Sequence, residues 1–350
     1  MKIAARPAFS NKFKNPYNWL LYRQVALLNV KVEEPKIVDF LFNRYDIVHL
    51  HWPEYSLSFP SFFQALYRVL GLLIVVKLVK FKGAKLIWTI HNLRSHENLY
   101  PELEAWFWQV FIKDLDAYIC LSHISREKAI GQFPNLKDKL YAVTPHGHYR
   151  SIYPNNLTQA EARRILEIAP TSKVLVFVGA VRPYKNLLHL IKIFCQISNP
   201  DLVLLIAGNP NSIDISQAVV EAAEKDSRIK LFLNLIPDEE LQIYFNAANL
   251  TVIPYTDVLN SGTTLLSLSF NRPLLVPNHG SLQELQELVG ETWIRTYHAE
   301  LTSIEISKAL CWVDSVSRPQ AIDLNTFEWS SIAQNTVNLY VEALRLKSVH

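Results

Sequence analysis

Two short segments place cations and hydroxyls where the chain passes from an apolar run into a helical pattern. Arg182 and Lys185 follow the run 174–178 and Gly179, and stand before a helical pattern over 187–197. The first N–H groups of a helix have no partner, and the helix dipole is positive there. Two cations beside such a terminus make an anion site. The second segment carries Asn260, Ser261, Gly262 and Thr263, follows the run 250–254, and leads into a helical pattern over 265–270. Alone it reads as an ordinary helix cap. Beside the first segment it reads as a second set of donors on one shared diphosphate.

Two further segments carry histidine and carboxylate. His49-Leu50-His51-Trp52-Pro53-Glu54-Tyr55 ends one apolar run. Thr89-Ile90-His91-Asn92-Leu93-Arg94-Ser95-His96-Glu97 ends the next. A lone histidine on a strand is more often a satisfied core residue. Here histidines and glutamates recur at two neighbouring strand ends. That makes Glu54, Glu97, His51 and His91 candidates for a general base toward a hydroxyl. The acid pair Asp114 and Asp116 precedes a strand, at the far edge of a sheet, and reads as structural. No other spacing suggests a bound metal.

The elements that must position these groups are short Val, Ile and Leu runs alternating with longer helical patterns, the form of βαβ units and parallel sheets. Strands are expected over 47–50, 86–90, 117–121 and 142–144, with a weaker one at Ile3. A second set is expected over 174–178, 202–207, 229–233, 250–254 and 274–276. Glycine is scarce, nine in all. Four of these, Gly147, Gly179, Gly208 and Gly262, follow expected strands, where ligands bind in open parallel sheets. The turn residues His146, Gly147, His148, Tyr149 and Arg150 mark a hinge. They divide the chain into an acceptor domain, 1–150, and a donor domain, 151–350. A helix follows over 159–168, and a last helix over 326–346 is expected to pack back across both domains.

The 350 residues, 49% hydrophobic and 19% charged, describe a globular chain with a sizeable core. A net charge of +3 is too small to argue for nucleic acid. Cys120, Cys195 and Cys311 lie far apart, which suits a reducing cytoplasm. The chain start lacks the pattern of a secretory leader. Between Tyr55 and His96 there is no acidic residue, while Arg68, Lys77, Lys80, Lys82 and Lys85 accompany a long apolar pattern. Its charge-free core, 69–76, is shorter than the ~20 residues that span a bilayer. Two readings stand: a helix lying on an anionic membrane surface, or a core helix with a solvated lysine end.

Together these segments resemble the two-Rossmann-domain glycosyltransferases, the GT-B fold. More narrowly, they are similar to the bacterial GDP-mannose:glycolipid 4-beta-mannosyltransferases of xanthan-type exopolysaccharide assembly. The resemblance covers nearly the whole chain. It rests on Asn15-Pro16-Tyr17, His49-Leu50-His51-Trp52-Pro53-Glu54-Tyr55, His91-Asn92-Leu93 with His96-Glu97, and His146-Gly147-His148-Tyr149-Arg150. It continues through Arg182-Pro183-Tyr184-Lys185, Gly208-Asn209-Pro210, Asn260-Ser261-Gly262-Thr263, and Leu268-Ser269 with Arg272-Pro273.

The resemblance implies two Rossmann-like domains facing a central cleft. The donor diphosphate is expected on Arg182, Lys185 and the 260–263 turn, and the base near Gly208, Asn209 and Asp238, with Glu240 a weaker candidate. Common retaining members carry two glutamates around this loop; the matching positions here are Val258 and Leu266. That departure implies inversion, giving a β-linkage from an α-linked donor. The cations would stand in for a divalent metal, and no cofactor is expected. Glu54 is the preferred base over Glu97, with His51 or His91 as fallback. The expected partners are GDP-mannose and a glycan or lipid-linked acceptor, at the cytoplasmic face of a membrane. A UDP-sugar donor and a catalytically silent sugar-nucleotide binder are the alternatives.

Overall fold

Runs of branched apolar residues with both faces covered build two parallel sheets. The computed structural model describes residues 1–13, 15–95 and 98–346. The strands in chain order are β1 Lys2–Arg6, β2 Lys31–Glu33, β3 Ile47–His51, β4 Lys85–Ile90, β5 Ala117–Cys120 and β6 Leu140–Val143. They continue with β7 Lys173–Val178, β8 Leu202–Ala207, β9 Ile229–Phe232, β10 Leu250–Val252, β11 Leu274–Pro277 and β12 Ile294–Tyr297. The first sheet runs β2-β1-β3-β4-β5-β6 and the second β12-β11-β10-β7-β8-β9, and every pairing is parallel.

The chain divides into Met1–Gly147 with Thr326–His350, and His148–Asn325. The last helix, Trp329–Arg345, groups with the first unit. Its buried face, Trp329, Ile332, Thr336, Leu339 and Tyr340, packs on the helix Tyr17–Leu27 and on β5 and β6. A terminal amphipathic helix does not disclose in sequence which sheet its apolar face will cover.

In the first unit all six residues of β4 are buried. Its Trp88 stacks on Trp108 of the helix Pro101–Asp114 at 4.7 Å. Strand order reverses between β1 and β3, so His51 stands at a switch point, where parallel sheets open a crevice beyond their carboxyl ends.

In the second unit the core gathers Val174, Val176, Val178, Leu205, Ala207, Phe245 and Phe270. Order reverses here between β7 and β10. The loops leaving those two strands carry Gly179 to Lys185 and Tyr255 to Thr263, the two segments singled out for anion chemistry. The helix expected over 159–168 ends at Ile165, and Glu167 turns left-handed (φ 53°). A Thr158 and Glu161 capping box starts it. The helix expected from 265 starts earlier, as Gly262–Ser269, so Gly262 and Thr263 are its first residues.

Candidate functional site

In the second unit Lys185 and Thr263 both come close to Gly179. Gly179 leaves β7 at φ 129°, and a β-carbon there would lie 3.0 Å from Lys185 Nζ and 3.5 Å from Thr263 Oγ1. Gly208 leaves β8 so close to this turn that a β-carbon would stand 2.0 Å from the Gly179 carbonyl oxygen. Val181 N donates to Asn209 O at 2.9 Å, fastening the two loops together. Pro183–Lys185 form a 3-10 turn, and Asn186 (φ 53°) redirects the chain into the helix Leu187–Phe194.

Lys185 is buried, and among the described residues its ammonium has no carboxylate and no hydrogen-bond acceptor. Two aromatic rings lie near it, Tyr255 at 5.1 Å and Phe177 at 5.9 Å to the ring centroid. Burial pushes its pKa down, although the Tyr184 hydroxyl opposes this. An uncompensated buried charge costs several kcal/mol, a cost that an anion bound beside it would offset.

Ser261 adds a second, independent sign. It occupies the N-cap of the helix Gly262–Ser269, yet its side chain does not cap that helix. Its buried hydroxyl has no hydrogen-bond partner among the described residues. Thr264 Oγ1 instead donates to Ser261 O at 2.6 Å. The ordinary-cap reading therefore does not hold for Ser261. A hydroxyl, open helix N–H groups and a buried ammonium lie on the loops that leave β7 and β10. Arg182 begins the 3-10 turn and is half-buried, while Asn209 is exposed and Asn260 half-buried. Val258 is buried and Leu266 packs against the hydrophobic core, so neither position offers a carboxylate.

In the first unit β3 ends on a strained residue. Trp52 adopts φ 49° and ψ 51°, a left-handed conformation rare for a bulky side chain. It starts the 3-10 turn Pro53–Leu57 and stacks on His91 at 4.1 Å. The turn buries Glu54. Asn92 Nδ2 donates to Glu54 Oε1 at 2.9 Å, and Oε2 has no partner among the described residues. Burial pushes the carboxyl pKa up to about 7, with a smaller upward push from Glu104 and an opposing pull from Asn92. Glu104 itself is satisfied by Ser95 N, Ser95 Oγ and Trp108 Nε1. A carboxyl poised near neutrality suits a general base. Glu97 and His96 lie outside the described residues.

The histidines are less available than the sequence suggests. His51 uses both ring nitrogens, Nε2 with Tyr22 OH at 2.6 Å and Nδ1 with His91 Nε2 at 2.9 Å. Burial, aided by His49 and His91, holds its pKa well below the usual range. It can take no further proton without breaking this array. His49 bonds Tyr22, Tyr340 and Thr89 and is likewise held low, at about 3. Sequence reasoning missed Tyr22 and Tyr340, which no motif flags.

The five turn residues divide at Gly147. His146 Nδ1 bonds Gly147 O at 2.8 Å and its ring meets Tyr17 at 4.9 Å. A β-carbon at Gly147 would stand 2.2 Å from the Trp329 indole. On the other side, Tyr149 N donates to Ser269 Oγ at 2.8 Å. Arg150 N donates to His148 Nδ1, and the Arg150 guanidinium donates to Asn271 Oδ1 and Ile322 O.

The basic segment forms one helix, Phe62–Phe81, longer than its charge-free core. With a mean hydropathy of 1.9 it is long and apolar enough to cross a membrane by composition, yet Ala65, Val69, Leu73, Val76 and Val79 pack into the first unit. The lysines are not a free basic cluster. Lys77 pairs with Asp114, Lys80 with Asp116, Lys82 donates to Phe40 O and Leu41 O, and Lys85 donates to Leu346 O. The helix exposes Phe62, Phe63, Tyr67, Leu70, Ile74 and Phe81 together with Gln64, Arg68 and Lys77.

A family model described as "Glycosyl transferases group 1" matches residues 158–285. Over 337 residues the chain is 31% identical to a GDP-mannose:glycolipid 4-beta-D-mannosyltransferase of Xanthomonas campestris pv. campestris, covering 95% of this chain and 90% of that one. It is 24% identical over 291 residues to a D-inositol 3-phosphate glycosyltransferase of Corynebacterium glutamicum, covering 75% and 68%. Sucrose-phosphate synthase from Thermosynechococcus elongatus superposes with a TM-score of 0.63 at 16% identity, covering 92% of this chain and 77% of that one. Anabaena HepE, solved with UDP and glucose, gives 0.63 at 14% identity and covers 98% of each chain. These two likenesses establish the fold class, the GT-B architecture with two Rossmann-like α/β units.

Proposed function

Because this chain belongs to the glycosyltransferase family that includes the GDP-mannose:glycolipid 4-beta-D-mannosyltransferases, we propose that it transfers mannose from GDP-mannose to a hydroxyl of a lipid-linked or free glycan, with inversion to a β-linkage. The observation that carries the donor site is the buried Lys185 ammonium without an anion, next to Thr263 and accompanied by the unpartnered Ser261 hydroxyl. A nucleoside diphosphate supplies the missing charge.

In this reading Glu54 takes the proton from the acceptor hydroxyl as that oxygen attacks the anomeric carbon. The bond from that carbon to the diphosphate breaks, and the electron pair leaves with the nucleotide. Lys185, Arg182, the Ser261 and Thr263 hydroxyls and the open N–H groups at Gly262 stabilise the charge that grows on the leaving group. Val258 and Leu266 support inversion, since no carboxylate stands on the donor side at those two positions. Gly208, Asn209 and Asp238 are the candidate neighbours of the nucleotide base. The cationic site does the work a divalent metal does elsewhere, so transfer should persist in chelator.

The exposed apolar stripe of the helix Phe62–Phe81 supports peripheral contact with a membrane, where a lipid-linked acceptor would lie. Since the lysines are largely paired, apolar insertion rather than charge is the stronger term.

A thermal-shift series with GDP-mannose, UDP-glucose, GDP and UDP tests the donor, because a ligand of the folded state raises the melting temperature. Stabilisation by the guanosine compounds alone is expected; a response to uridine compounds alone would replace the donor. A nuclear magnetic resonance spectrum of the product tests inversion through the anomeric configuration.

A further inference from the structure

The edge strand of the second unit carries a guanidinium that the fold itself leaves unused. Arg295 is the second residue of β12, beside Leu275 of β11. Among the described residues it makes no ion pair and no side-chain hydrogen bond, and its Nε is buried without a partner. Arg318 of the same unit is the contrast. Its Nε donates to Thr292 O and its Nη1 to Val313 O and Val316 O, so it is fastened to the backbone. A guanidinium is a rigid fork of N–H donors, and leaving it without an acceptor is costly where burial keeps water away.

Arg295 lines a groove of about 740 Å³ between the helix Ser303–Ser315 and residues 196–198, which follow the helix Leu187–Phe194. That is the size of a small-molecule site. No residue lining it is acidic. Lys308 adds an ammonium. Its contact with Glu305, 2.9 Å away, is an exposed pair on one helix face, and such pairs hold their partners weakly. Ser198 and Ser303 add hydroxyls that make no hydrogen bond among the described residues. Trp312 and Ile304 supply apolar surface, and the Trp312 ring is braced by the Arg318 guanidinium 4.4 Å from its centroid.

We propose that this groove binds a small organic oxyanion, its phosphate or carboxylate group held by Arg295 and Lys308 and its body lying on Trp312. The planar guanidinium fork matches either head group with paired hydrogen bonds. The groove is separate from the donor site. β12 stands two strands from β10 and three from β7, roughly 10 and 14 Å across the sheet. Arg295 also sits toward the amino end of its strand, whereas the donor loops leave the carboxyl ends of β7 and β10. The assignment therefore stands apart from the identity of the donor.

Cys311 lines the groove and is exposed, so its thiol reports occupancy. The test is the rate at which neutral iodoacetamide alkylates Cys311 in the full chain, read by peptide mass spectrometry, in phosphate and in sodium chloride of equal ionic strength. Phosphate at about ten times its dissociation constant should slow the reaction roughly tenfold relative to chloride, by mass action. The slowing should vanish in Arg295→Gln. Should that variant not fold, Lys308→Glu, at an exposed helix position, must abolish it instead. Glycerol 3-phosphate and succinate distinguish the head groups, since the one that protects at the lower concentration identifies the class. Equal rates in chloride and in all three anions overturn the proposal. So does slowing that survives in Arg295→Gln or, where that protein does not fold, in Lys308→Glu. Protection of Cys311 by GDP-mannose, at the concentration that stabilises the fold, would merge the groove with the donor site and also overturn it.

Discussion

Asn92 holds one oxygen of Glu54, Nδ2 to Oε1 at 2.9 Å, and leaves the other oxygen without a partner among the described residues. That half-satisfied carboxyl, raised to about 7 by burial, gives a pH signature. The transfer rate should rise as pH passes through about 7, because the base is the ionised form. Glu54→Gln should abolish that limb and lower kcat while leaving donor affinity unchanged.

The same shift sets a stability test. A carboxyl whose folded pKa lies above its unfolded value near 4.5 binds more protons in the folded state between the two values. Stability from this group is therefore lost as pH rises from about 4.5 through about 7. Glu54→Gln should melt higher than the parent at pH 8, by an amount on the order of 1–3 kcal/mol, and the difference should shrink by pH 5. Thermal melts at the two pH values check this.

Lys185 and Ser261 should trade stability against turnover. Lys185→Met removes a buried cation that lacks an anion, so the ligand-free fold should melt as high as the parent or higher. Its turnover should fall roughly 10²-fold or more, through loss of a charge-stabilising donor. Ser261→Ala should cost little stability, since its hydroxyl makes no bond to lose, and should weaken turnover less than Lys185→Met. Paired melting and rate measurements separate this from simple structural damage, which would lower both.

Gly147→Ala should destabilise the first unit. The added carbon would stand 2.2 Å from the Trp329 ring, so the helix Trp329–Arg345 must shift. A cost of about 1–3 kcal/mol follows from overpacking. Trp329→Ala is itself destabilising, but in that background the further substitution Gly147→Ala should add almost nothing. Denaturant titration of the four proteins gives the coupling.

Membrane contact should depend on Phe63 and Ile74, which are exposed, more than on Lys77 and Lys80, which are paired with Asp114 and Asp116. Co-sedimentation with anionic vesicles should be lost in Phe63→Ser with Ile74→Ser. It should persist in Lys77→Ala with Lys80→Ala and in moderate salt. Strong salt sensitivity would favour charge over insertion.

Much of this was legible in the sequence because strand exits carry the chemistry. The runs at β3, β4, β7 and β10 are apolar enough to read, and the residues after them are the ones brought to the switch points. Two strands escaped notice: β2, only Lys31-Val32-Glu33, and the edge strand β12, where Arg295 and Thr296 alternate with apolar residues. The histidine series was illegible for a different reason. Tyr22 and Tyr340 reach His49 from 27 and 291 residues away, and neither lies in a motif. Nor does sequence disclose that Ser261 fails to cap its helix, or that lysines 77 and 80 spend their charge on the acid pair 114 and 116.

In the proposed donor site Lys185 of the second unit holds a nucleoside diphosphate. Calorimetric titration of GDP and GDP-mannose into the parent protein and Lys185→Met, with chelator present, measures it most directly. The parent should bind, and the variant should lose at least tenfold in affinity, about 1.4 kcal/mol. Equal affinity in the two proteins would contradict it and move the diphosphate elsewhere.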